Sequence, residues 1–399
     1  MGRTTEVVVI GGGYAGVMAA NRLTRHDDVT VTVINPRPSF VPRLRLHQLV
    51  GGSHPAVMEY EEVLTGRARR VVDSVARIDA PARVVTLASG GTVRYDHLVY
   101  AVGSTVARPD VPGVAEHAHH VAELEAAEQL RAAVAALPAG VPVTVVGAGP
   151  TGIETAAELA EGGRPVTLVC GGLLGPYLHP RARRSAARRF AALGVTVLDG
   201  PGTKVTEMTA DTVRLADGRT VTGGLAVWTA GFGVPGLAAR SGLTTDADGR
   251  LLTDETLTSV DDERIVAAGD CSAPSGLPFR MSAYVAGCLG AHAADTVLAR
   301  IAGEQPEPVD LAFNAMCLSF GRRTAIFQIA HKDDRAMALY VGGRAGAKLK
   351  ELGCTLSVKH RTAEAREPGA HSWPKDGKHR PRLLRERAVR TADTPEPAA

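Results

Sequence analysis

The chain has 399 residues, 45% of them hydrophobic, which is long enough for two or three domains with a sizeable core. Its 45 Lys and Arg nearly cancel 42 Asp and Glu, so the net charge of +3 gives no reason to expect nucleic-acid binding. The five cysteines have no close paired spacing, which argues against a disulfide framework and favours a reducing, cytoplasmic setting.

The first hundred residues show the pattern of an α/β domain with a parallel sheet. Residues 6–10 are a predicted buried strand, residues 14–24 a helix and residues 29–34 the next strand. Residues 71–94 alternate as antiparallel strands do, which predicts a small inserted sheet. Residues 98–102 form another apolar strand.

The same pattern returns after a linker and an Ala- and Glu-rich helix within residues 114–137. It comprises a strand at residues 143–146, a glycine loop, a helix at residues 153–161 and a strand at residues 166–169. The recurrence predicts one fold used twice rather than a short repeat. The remaining predicted elements are strands at 195–198, 213–215, 221–229 and 264–268, a long helix at 282–301, and at least two strands within 311–347.

These elements predict two Rossmann-like dinucleotide-binding domains and a small C-terminal α+β domain. From Arg366 the composition becomes polar and rich in Pro and Gly, which predicts disorder. Residues 361–399 also hold nine Lys and Arg against six Asp and Glu, so the basic excess lies there. The predicted boundaries are 1–112 and 237–305 for the first domain, 113–236 for the second, 306–365 for the C-terminal domain and 366–399 for a disordered basic tail.

The first glycine motif, GGGYAG at residues 11–16, directly follows the first predicted strand. A dinucleotide pyrophosphate needs a tight turn, close backbone approach and a helix N-terminus, which Gly11, Gly13 and Gly16 would supply in that order. An ordinary strand–helix turn is the alternative, but the complete strand–loop–helix–strand context favours dinucleotide binding. Asn35 stands where a ribose-binding carboxylate is expected; it could bond a hydroxyl or simply begin a turn.

The second glycine motif is GAGPTG at residues 147–152, in the same context. The strand that follows ends at Cys170 without a carboxylate, so the choice between NADH and NADPH stays open. Arg181, Arg183 and Arg184 could meet a 2′-phosphate, although such a run is more often a solvated helix face.

A third motif, Gly269-Asp270, ends a late strand shortly before the long helix. Asp270 could accept a hydrogen bond from a ribityl hydroxyl of a flavin, with the helix N-terminus facing the pyrimidine carbonyls. Alone, this dipeptide would be an ordinary turn; its position after two glycine motifs favours the flavin interpretation.

With these motifs, the chain resembles the FAD-dependent pyridine-nucleotide oxidoreductases, through VVVIGGGYAG, YDHLVYAVGS, VTVVGAGPTGIETAAELA, VWTAGFG and ERIVAAGD. It is most similar to their type II NADH dehydrogenase-like branch, through GPTGIETAAEL and the stretch near GRRTAIFQ. The resemblance implies a glutathione-reductase-like FAD/NAD(P) fold, with FAD in the first domain and NADH or NADPH in the second. The implied FAD contacts are Gly11, Gly13, Ala15, Gly16, Asn35, Arg43, Val75, Gly103, Asp270 and Ala283. The implied dinucleotide contacts are Gly149, Thr151, Gly152, Glu154 and Gly231.

The cysteine pattern departs from several branches of that family. Residues 40–48, where disulfide reductases keep redox cysteines, contain none, so flavin electrons cannot pass through a thiol there. Sulfide:quinone oxidoreductases use cysteines near the flavin; Cys170, Cys288 and Cys317 stay candidates, although an inert buried cysteine is commoner. Tyr284 and Cys288 also stand where type II enzymes carry quinone-side glutamines, which weakens quinone as the acceptor.

No transmembrane helix is predicted, because prolines and glycines interrupt the longest uncharged stretch, at residues 132–153. Residues 346–359 have a mildly amphipathic pattern, for which packing on the body is favoured over lying on a membrane. The lysines predicted to face outward are Lys348, Lys350 and Lys359. The linker histidines, which lack carboxylate or Cys partners and are interpreted as surface residues rather than metal ligands, are His117, His119 and His120.

These observations predict an FAD-dependent oxidoreductase that takes hydride from NAD(P)H and passes electrons to a quinone or another small acceptor, without a redox disulfide. Glu154 is the candidate for orienting the nicotinamide. Two alternatives stay open: a dedicated flavoenzyme acting on a biosynthetic intermediate, and a non-catalytic flavoprotein that contacts a partner through its basic tail. A homodimer and a peripheral contact with the inner face of a membrane also stay open.

Overall fold

The computed structural model describes residues 4–106 and 109–392. The helices are α1 (Tyr14–Leu23), α2 (Leu46–Val50), α3 (Val114–His117), α4 (Leu124–Ala136), α5 (Pro150–Glu161), α6 (Pro180–Ala192), α7 (Leu237–Arg240), α8 (Ala283–Ile301), α9 (Gly343–Arg366) and α10 (His379–Ala392), with 3₁₀ turns at Arg43–Arg45 and Tyr60–Glu62. The strands are β1 (Thr5–Ile10), β2 (Val29–Asn35), β3 (Arg69–Val72), β4 (Val75–Asp79), β5 (Val84–Leu87), β6 (Thr92–Arg94), β7 (His97–Tyr100), β8 (Thr105–Val106), β9 (Ala118–His119), β10 (Val143–Val146), β11 (Val166–Val169), β12 (Thr196–Leu198), β13 (Val205–Met208), β14 (Thr212–Leu215), β15 (Thr220–Thr222), β16 (Leu225–Trp228), β17 (Phe232–Gly233), β18 (Leu251–Thr253), β19 (Ile265–Ala267), β20 (Ser272–Pro274), β21 (Ala315–Ser319), β22 (Ala325–Ala330) and β23 (Ala336–Val341).

The first parallel sheet has the strand order β19-β7-β1-β2-β3. Strand β1 is a run of valines buried on both faces, as expected where helices cover both sides of a parallel sheet. Helices α1 and α8 pack so closely that a side chain at Gly290 would overlap the carbonyl oxygen of Ala15. Because the late strand β19 joins β7, the chain returns to its first sheet after completing the second.

The second parallel sheet, β12-β11-β10-β16-β9, repeats this plan. Each parallel sheet has a three-stranded antiparallel sheet inserted in its chain, β4-β5-β6 in the first and β13-β14-β15 in the second. The first insertion begins later than predicted, because Arg69–Val72 pairs parallel to β2 as the fifth strand of the main sheet. The single strand predicted at residues 221–229 is two strands, divided at Gly223 and Gly224.

The C-terminal part is an antiparallel sheet, β21-β22-β23, covered by α9. Within the described part of the chain, no helix combines the length and the apolar character needed to cross a bilayer.

Residues 367–387, which belong to the segment predicted to be disordered, make specific contacts with the body of the protein. Trp373 donates its indole N–H to the carbonyl oxygen of Asp310 at 2.8 Å. The guanidinium of Arg380 donates to both carboxylate oxygens of Glu255, at 2.7 and 2.9 Å, and stacks over the ring of Phe279 at 4.3 Å. A prediction from composition assumes that charged side chains are solvated, but an arginine can be buried when a carboxylate accepts two hydrogen bonds from it. Residues 393–399 lie outside the described residues.

Candidate active site

The loop between β1 and α1 leaves open space over its middle glycine. Gly11 has a φ of +104°, and a side chain there would overlap the carbonyl oxygen of Ala101; one at Gly16 would overlap the carbonyl oxygen of Gly11. A Cβ atom at Gly13 would meet no atom within 4 Å. The outer glycines thus let the loop close, while the middle one faces open space at the N-terminus of α1. This arrangement fits a pyrophosphate.

The loop between β10 and α5 repeats this geometry. Gly147 has a φ of +112°, and a Cβ atom there would lie 2.7 Å from Oγ1 of Thr229. A side chain at Gly152 would overlap the carbonyl oxygen of Gly147, whereas one at Gly149 would meet nothing within 4 Å. Two separate loops of one chain therefore fit the same chemical group.

Three predicted flavin contacts come together around a serine that sequence reasoning missed. Nη1 of Arg43 donates to the carbonyl oxygen of Ser104 at 2.9 Å and to its Oγ at 3.1 Å. Ser104 Oγ in turn donates to Oδ2 of Asp270 at 2.6 Å. Gly103, with a φ of +70°, directly precedes this serine. Burial lowers the pKa of the Arg43 guanidinium, and the nearby Asp270 carboxylate opposes that shift. The sequence could have indicated Ser104 through its position directly after Gly103, which was itself a predicted FAD contact.

Asn35 lies beside the first glycine loop with both ends of its amide engaged. Its Oδ1 accepts the N–H of Gly12 at 3.0 Å, and its Nδ2 donates to the carbonyl oxygen of Arg37 at 2.9 Å. The side chain therefore stabilises both the loop and the turn, and Oδ1 keeps a second lone pair for a ribose hydroxyl. Tyr60, which the sequence did not single out, donates its hydroxyl to the carbonyl oxygen of Gly12 at 2.9 Å. Val75 is half-buried against the hydrophobic cluster at the ends of β1 and β2.

Ala283 begins α8 and is tied to the first loop by a buried arginine of α9. The guanidinium of Arg361 donates to the carbonyl oxygens of Tyr14 at 3.1 Å and Ala283 at 3.2 Å, and also to that of Ser357. It stacks over the ring of Tyr14 at 4.5 Å. Burial lowers the pKa of Arg361 to about 10, so the group is still protonated at neutral pH. Ala15 packs α1 against α8, so both helices are fixed together.

Thr151 and Gly231 line one small cavity with His120, Trp228 and other residues between α5 and the loop after β16. The structure therefore brings these two predicted dinucleotide contacts together.

Arg183 is committed to its own loop rather than free to meet a phosphate. Its Nε donates to the carbonyl oxygen of Leu174 at 2.8 Å and its Nη2 to that of Leu178 at 3.0 Å. Arg181 and Arg184 are exposed on α6.

Glu154 is buried among groups from three other elements. Its Oε1 accepts from Nζ of Lys350 at 2.7 Å, and from the N–H and Oγ of Ser319 at 2.9 and 3.1 Å. Nδ1 of His47 lies 3.6 Å from its Oε2. The four residues come from α5, α9, β21 and α2, which meet only in the folded protein.

The charges in this cluster are set by opposing effects. Burial is the largest influence on the pKa of the Glu154 carboxyl and acts to raise it, but Lys350, His47 and the backbone N–H of Ser319 together outweigh burial, so the net pKa lies below its usual value. Burial is likewise the largest influence on the pKa of Lys350 and acts to lower it, but Glu154, with smaller contributions from Cys354 and Cys317, outweighs burial and the net pKa is raised. Burial also lowers the pKa of His47 to about 4, against the opposing effect of Glu154. At neutral pH the cluster holds one carboxylate, one ammonium and one neutral imidazole.

The prediction that Lys350 faces outward is wrong, since the residue is only 8% exposed. A prediction from an amphipathic pattern assumes that lysine is solvated, but an ion pair with a buried carboxylate compensates the free-energy cost of burying its ammonium group. Lys348 and Lys359 are exposed on the same helix.

The three cysteines considered for sulfur chemistry are free thiols. Burial raises the pKa of Cys170, Cys288 and Cys317 to about 12 each, so the nucleophilic thiolate is scarce at neutral pH. Lys350 beside Cys317, and Tyr284 and Arg361 beside Cys288, act to lower the pKa of these two thiols, but burial outweighs them.

Tyr284, in the first turn of α8, contributes to an exposed aromatic surface. Its hydroxyl donates to the carbonyl oxygen of Ala312 at 2.8 Å, and its ring meets that of Phe313 edge-on at 6.5 Å. Arg280 lies 5.3 Å over the Phe313 ring. The side of this aromatic pair that faces solvent is Tyr284, which is 37% exposed.

Comparison with known proteins agrees with this geometry. The profile of the pyridine nucleotide-disulphide oxidoreductase family matches residues 5–290. An NADH dehydrogenase-like protein of Mycobacterium tuberculosis is 31% identical over 296 residues, which cover 67% of this chain and 73% of that protein. The type II NADH:quinone oxidoreductase Ndh of the same species is 26% identical over 374 residues, covering 82% of this chain and 80% of that protein.

A solved structure shows the same fold. The sulfide:quinone oxidoreductase of Aquifex aeolicus superposes with a TM-score of 0.75 and 20% sequence identity, covering 90% of this chain and 92% of that one. The two glycine loops, the matched family profile and this shared architecture lead to one conclusion: the chain belongs to the pyridine nucleotide-disulphide oxidoreductase family and is an FAD-dependent oxidoreductase that uses NAD(P)H.

Proposed function

We propose that the protein transfers electrons from NAD(P)H to a small planar acceptor of the quinone class, without a redox disulfide. The observation that carries this proposal is the pair of open glycine loops, each in front of a helix N-terminus on the same chain. FAD, when bound, supplies the ability to accept a hydride and release electrons to a second substrate. The chain's own residues bind and orient the two nucleotides.

The residues that would hold FAD are the first loop, Asn35, Val75, Ala283 and the hydrogen-bonded chain that ends at Asp270. The hydrogen bond from Ser104 fixes the rotamer of Asp270 and leaves its other carboxylate oxygen for a ribityl hydroxyl. The second loop, with Thr151 and Gly231, would hold the dinucleotide.

Glu154 would orient the nicotinamide. It lies on the first turns of α5, directly after the second loop, and its carboxylate is fixed by the ammonium of Lys350 and by Ser319. A side chain held by three donors presents its remaining oxygen in one position, which is what positioning a ring requires.

Tyr284 stands where a quinone-side glutamine was expected, but its exposed ring, held edge-on against the buried Phe313, supports a planar acceptor because an aromatic ring packs well against a quinone. The relationship to a type II NADH:quinone oxidoreductase supports the same class. Peripheral contact with a membrane, where quinones dissolve, is supported by the outer face of α9. That face exposes Leu352 and Leu356 between Lys348 and Lys359.

Anaerobic reduction of the purified yellow protein tests the first half of this function. We expect NADH or NADPH to bleach the flavin absorbance within seconds, and the faster nucleotide identifies the physiological donor. Glu154→Gln keeps the size of the side chain and should slow this reduction while leaving flavin content unchanged. An unchanged rate would exclude the orienting role.

An acceptor screen with menadione, a short-chain ubiquinone and ferricyanide tests the second half. We expect steady-state NAD(P)H consumption with the two quinones. Rapid bleaching followed by failure with every acceptor would instead indicate a dedicated biosynthetic substrate. No bleaching with either nucleotide would overturn the proposed reaction.

A further inference from the structure

A basic cavity of about 650 Å³ lies between the turn that joins β22 to β23 and the first half of α10. None of its lining residues belongs to either glycine loop or to the Glu154 cluster. Sites for small ligands typically measure roughly 300–1,000 Å³, so the volume suits a nucleotide-sized molecule. Its cationic lining residues are Lys332, Arg335, Lys378, Arg382 and Arg385, joined by His331 and His379.

The positive charge of this cavity is only partly neutralised. Its two carboxylates belong to Asp333 and Asp376, which leaves five Lys and Arg against two Asp in the lining. Nε of Arg335 already pairs with Asp333 at 2.6 Å, and Nε of Arg382 pairs with Glu386, just outside the lining, at 3.5 Å. Lys378 and Arg385, by contrast, have side chains with no hydrogen bond or ion pair to any other described residue. Like charges this close repel one another, and a bound anion would relieve that repulsion.

The walls of the cavity are anchored, although they belong to the segment whose composition predicts disorder. Oδ1 of Asp310 accepts the backbone N–H groups of Asp376 and Gly377, at 2.9 and 3.0 Å. Nζ of Lys332 donates to the carbonyl oxygen of Lys375 at 3.1 Å, which joins the two walls. The buried Arg380 then holds the first turn of α10 on the body. The backbone that carries the cationic side chains is therefore held in place.

We propose that this cavity binds a small anion rich in phosphate, such as a diphosphate group. Guanidinium and ammonium groups converging on one concave site match the charge density and the several acceptor oxygens of such a ligand. The site is broadly open to solvent, and its volume lies within the range of small-ligand sites. This site is additional to the oxidoreductase function, and neither depends on the other.

Calorimetric titration of the flavin-loaded protein with inorganic pyrophosphate tests the proposal. Saturating NAD+ keeps the dinucleotide loop from contributing, and a constant ionic strength removes general salt effects. We expect saturable binding to the wild type. The double variant Lys378→Glu/Arg385→Glu should bind about tenfold more weakly or worse for the loss and reversal of two charges.

The matched control is Arg94→Glu/Arg131→Glu, which makes the same charge change at exposed positions on β6 and α4. It should bind pyrophosphate as the wild type does. Equal binding by all three proteins, or no saturable binding by the wild type, would overturn the proposal. The visible flavin spectrum reports whether each variant is folded.

Vesicles distinguish a soluble ligand from a lipid headgroup. Co-sedimentation with phosphatidylglycerol vesicles that the Lys378→Glu/Arg385→Glu protein loses, and the Arg94→Glu/Arg131→Glu protein keeps, would identify the ligand as a lipid phosphate. Binding of pyrophosphate without co-sedimentation would identify a soluble phosphate compound. Phosphatidylcholine vesicles should bind none of the three proteins.

Discussion

Lys350→Met removes the ammonium group that faces Glu154 and keeps most of the side-chain volume. The carboxylate would then be buried with two hydrogen bonds from Ser319 and a neutral imidazole from His47. Breaking a buried pair by removing one partner typically costs about 3–5 kcal/mol. Because the Ser319 donors stay in place, we expect the lower end, about 3 kcal/mol at pH 7.

The loss should depend on pH in a defined direction. In the wild type the pKa of Glu154 lies below its usual value, so its contribution to stability is present above the unfolded pKa and lost as pH falls through the folded pKa. In Lys350→Met, burial acts without the opposing ammonium and the pKa of Glu154 rises. The deficit of the variant should therefore be largest above about pH 5 and should shrink as the carboxyl takes up a proton.

Urea unfolding followed by flavin fluorescence measures the deficit at pH 4.5 and pH 7.5. At pH 7.5 we expect the midpoint to fall by about 1 M. The double variant Glu154→Gln/Lys350→Met removes both charges and should recover much of the loss. Lys359→Met, at an exposed position of the same helix, should change little. A deficit equal at both pH values, or a double variant no better than the single one, would refute this account.

Three further predictions, which use four substitutions, test the glycine loops, Ser104 and the anchor of α10. Gly149→Ala should fold normally but raise the KM for NAD(P)H, because its methyl group enters the open space in front of the second loop. Gly147→Ala should instead lose about 1–3 kcal/mol of stability, because Gly147 has a positive φ and its Cβ atom would clash with Thr229. Similar effects of the two substitutions on KM and on stability would contradict the assigned geometry. Ser104→Ala removes the only side-chain hydrogen-bond donor to the Asp270 carboxylate among the described residues, so the variant should retain FAD less well. The flavin content after dialysis measures this loss, and an undiminished content would argue against the role of Ser104. Arg380→Ala should cost about 2–3 kcal/mol and expose residues after 366 to limited proteolysis, since its ion pair anchors α10; wild-type protease resistance would show that the anchor lies elsewhere.

The sequence was sufficient wherever the structure is set by neighbours along the chain. Both glycine loops have local requirements, a tight turn at Gly11 or Gly147 and an open middle position, and these leave a spacing that can be recognised. Valine runs such as β1 and β10 likewise indicate buried parallel strands without further context.

The sequence was insufficient wherever distant segments meet. The position of Glu154 after the second loop made it a candidate, but the side chains that surround it, those of His47, Ser319 and Lys350, come from segments that no sequence signal links to it. Lys350 was assigned to the solvent-facing side of α9 because hydrophobic periodicity reflects the polarity of a side chain and not whether it forms an ion pair. Arg380 shows the same limit, because a charged residue contributes to a prediction of disorder unless its carboxylate partner, here Glu255, is known.

Helix α9 spans the distance between the two nucleotide-binding regions. Lys350 reaches the carboxylate behind the second glycine loop, and Arg361, eleven residues further along, reaches the first turns of α1 and α8. At 1.5 Å per residue these two contacts are about 16 Å apart on one rigid rod. Neither region can therefore be completed before residue 361 has left the ribosome, so flavin capture should follow the synthesis of this helix rather than that of the first glycine loop.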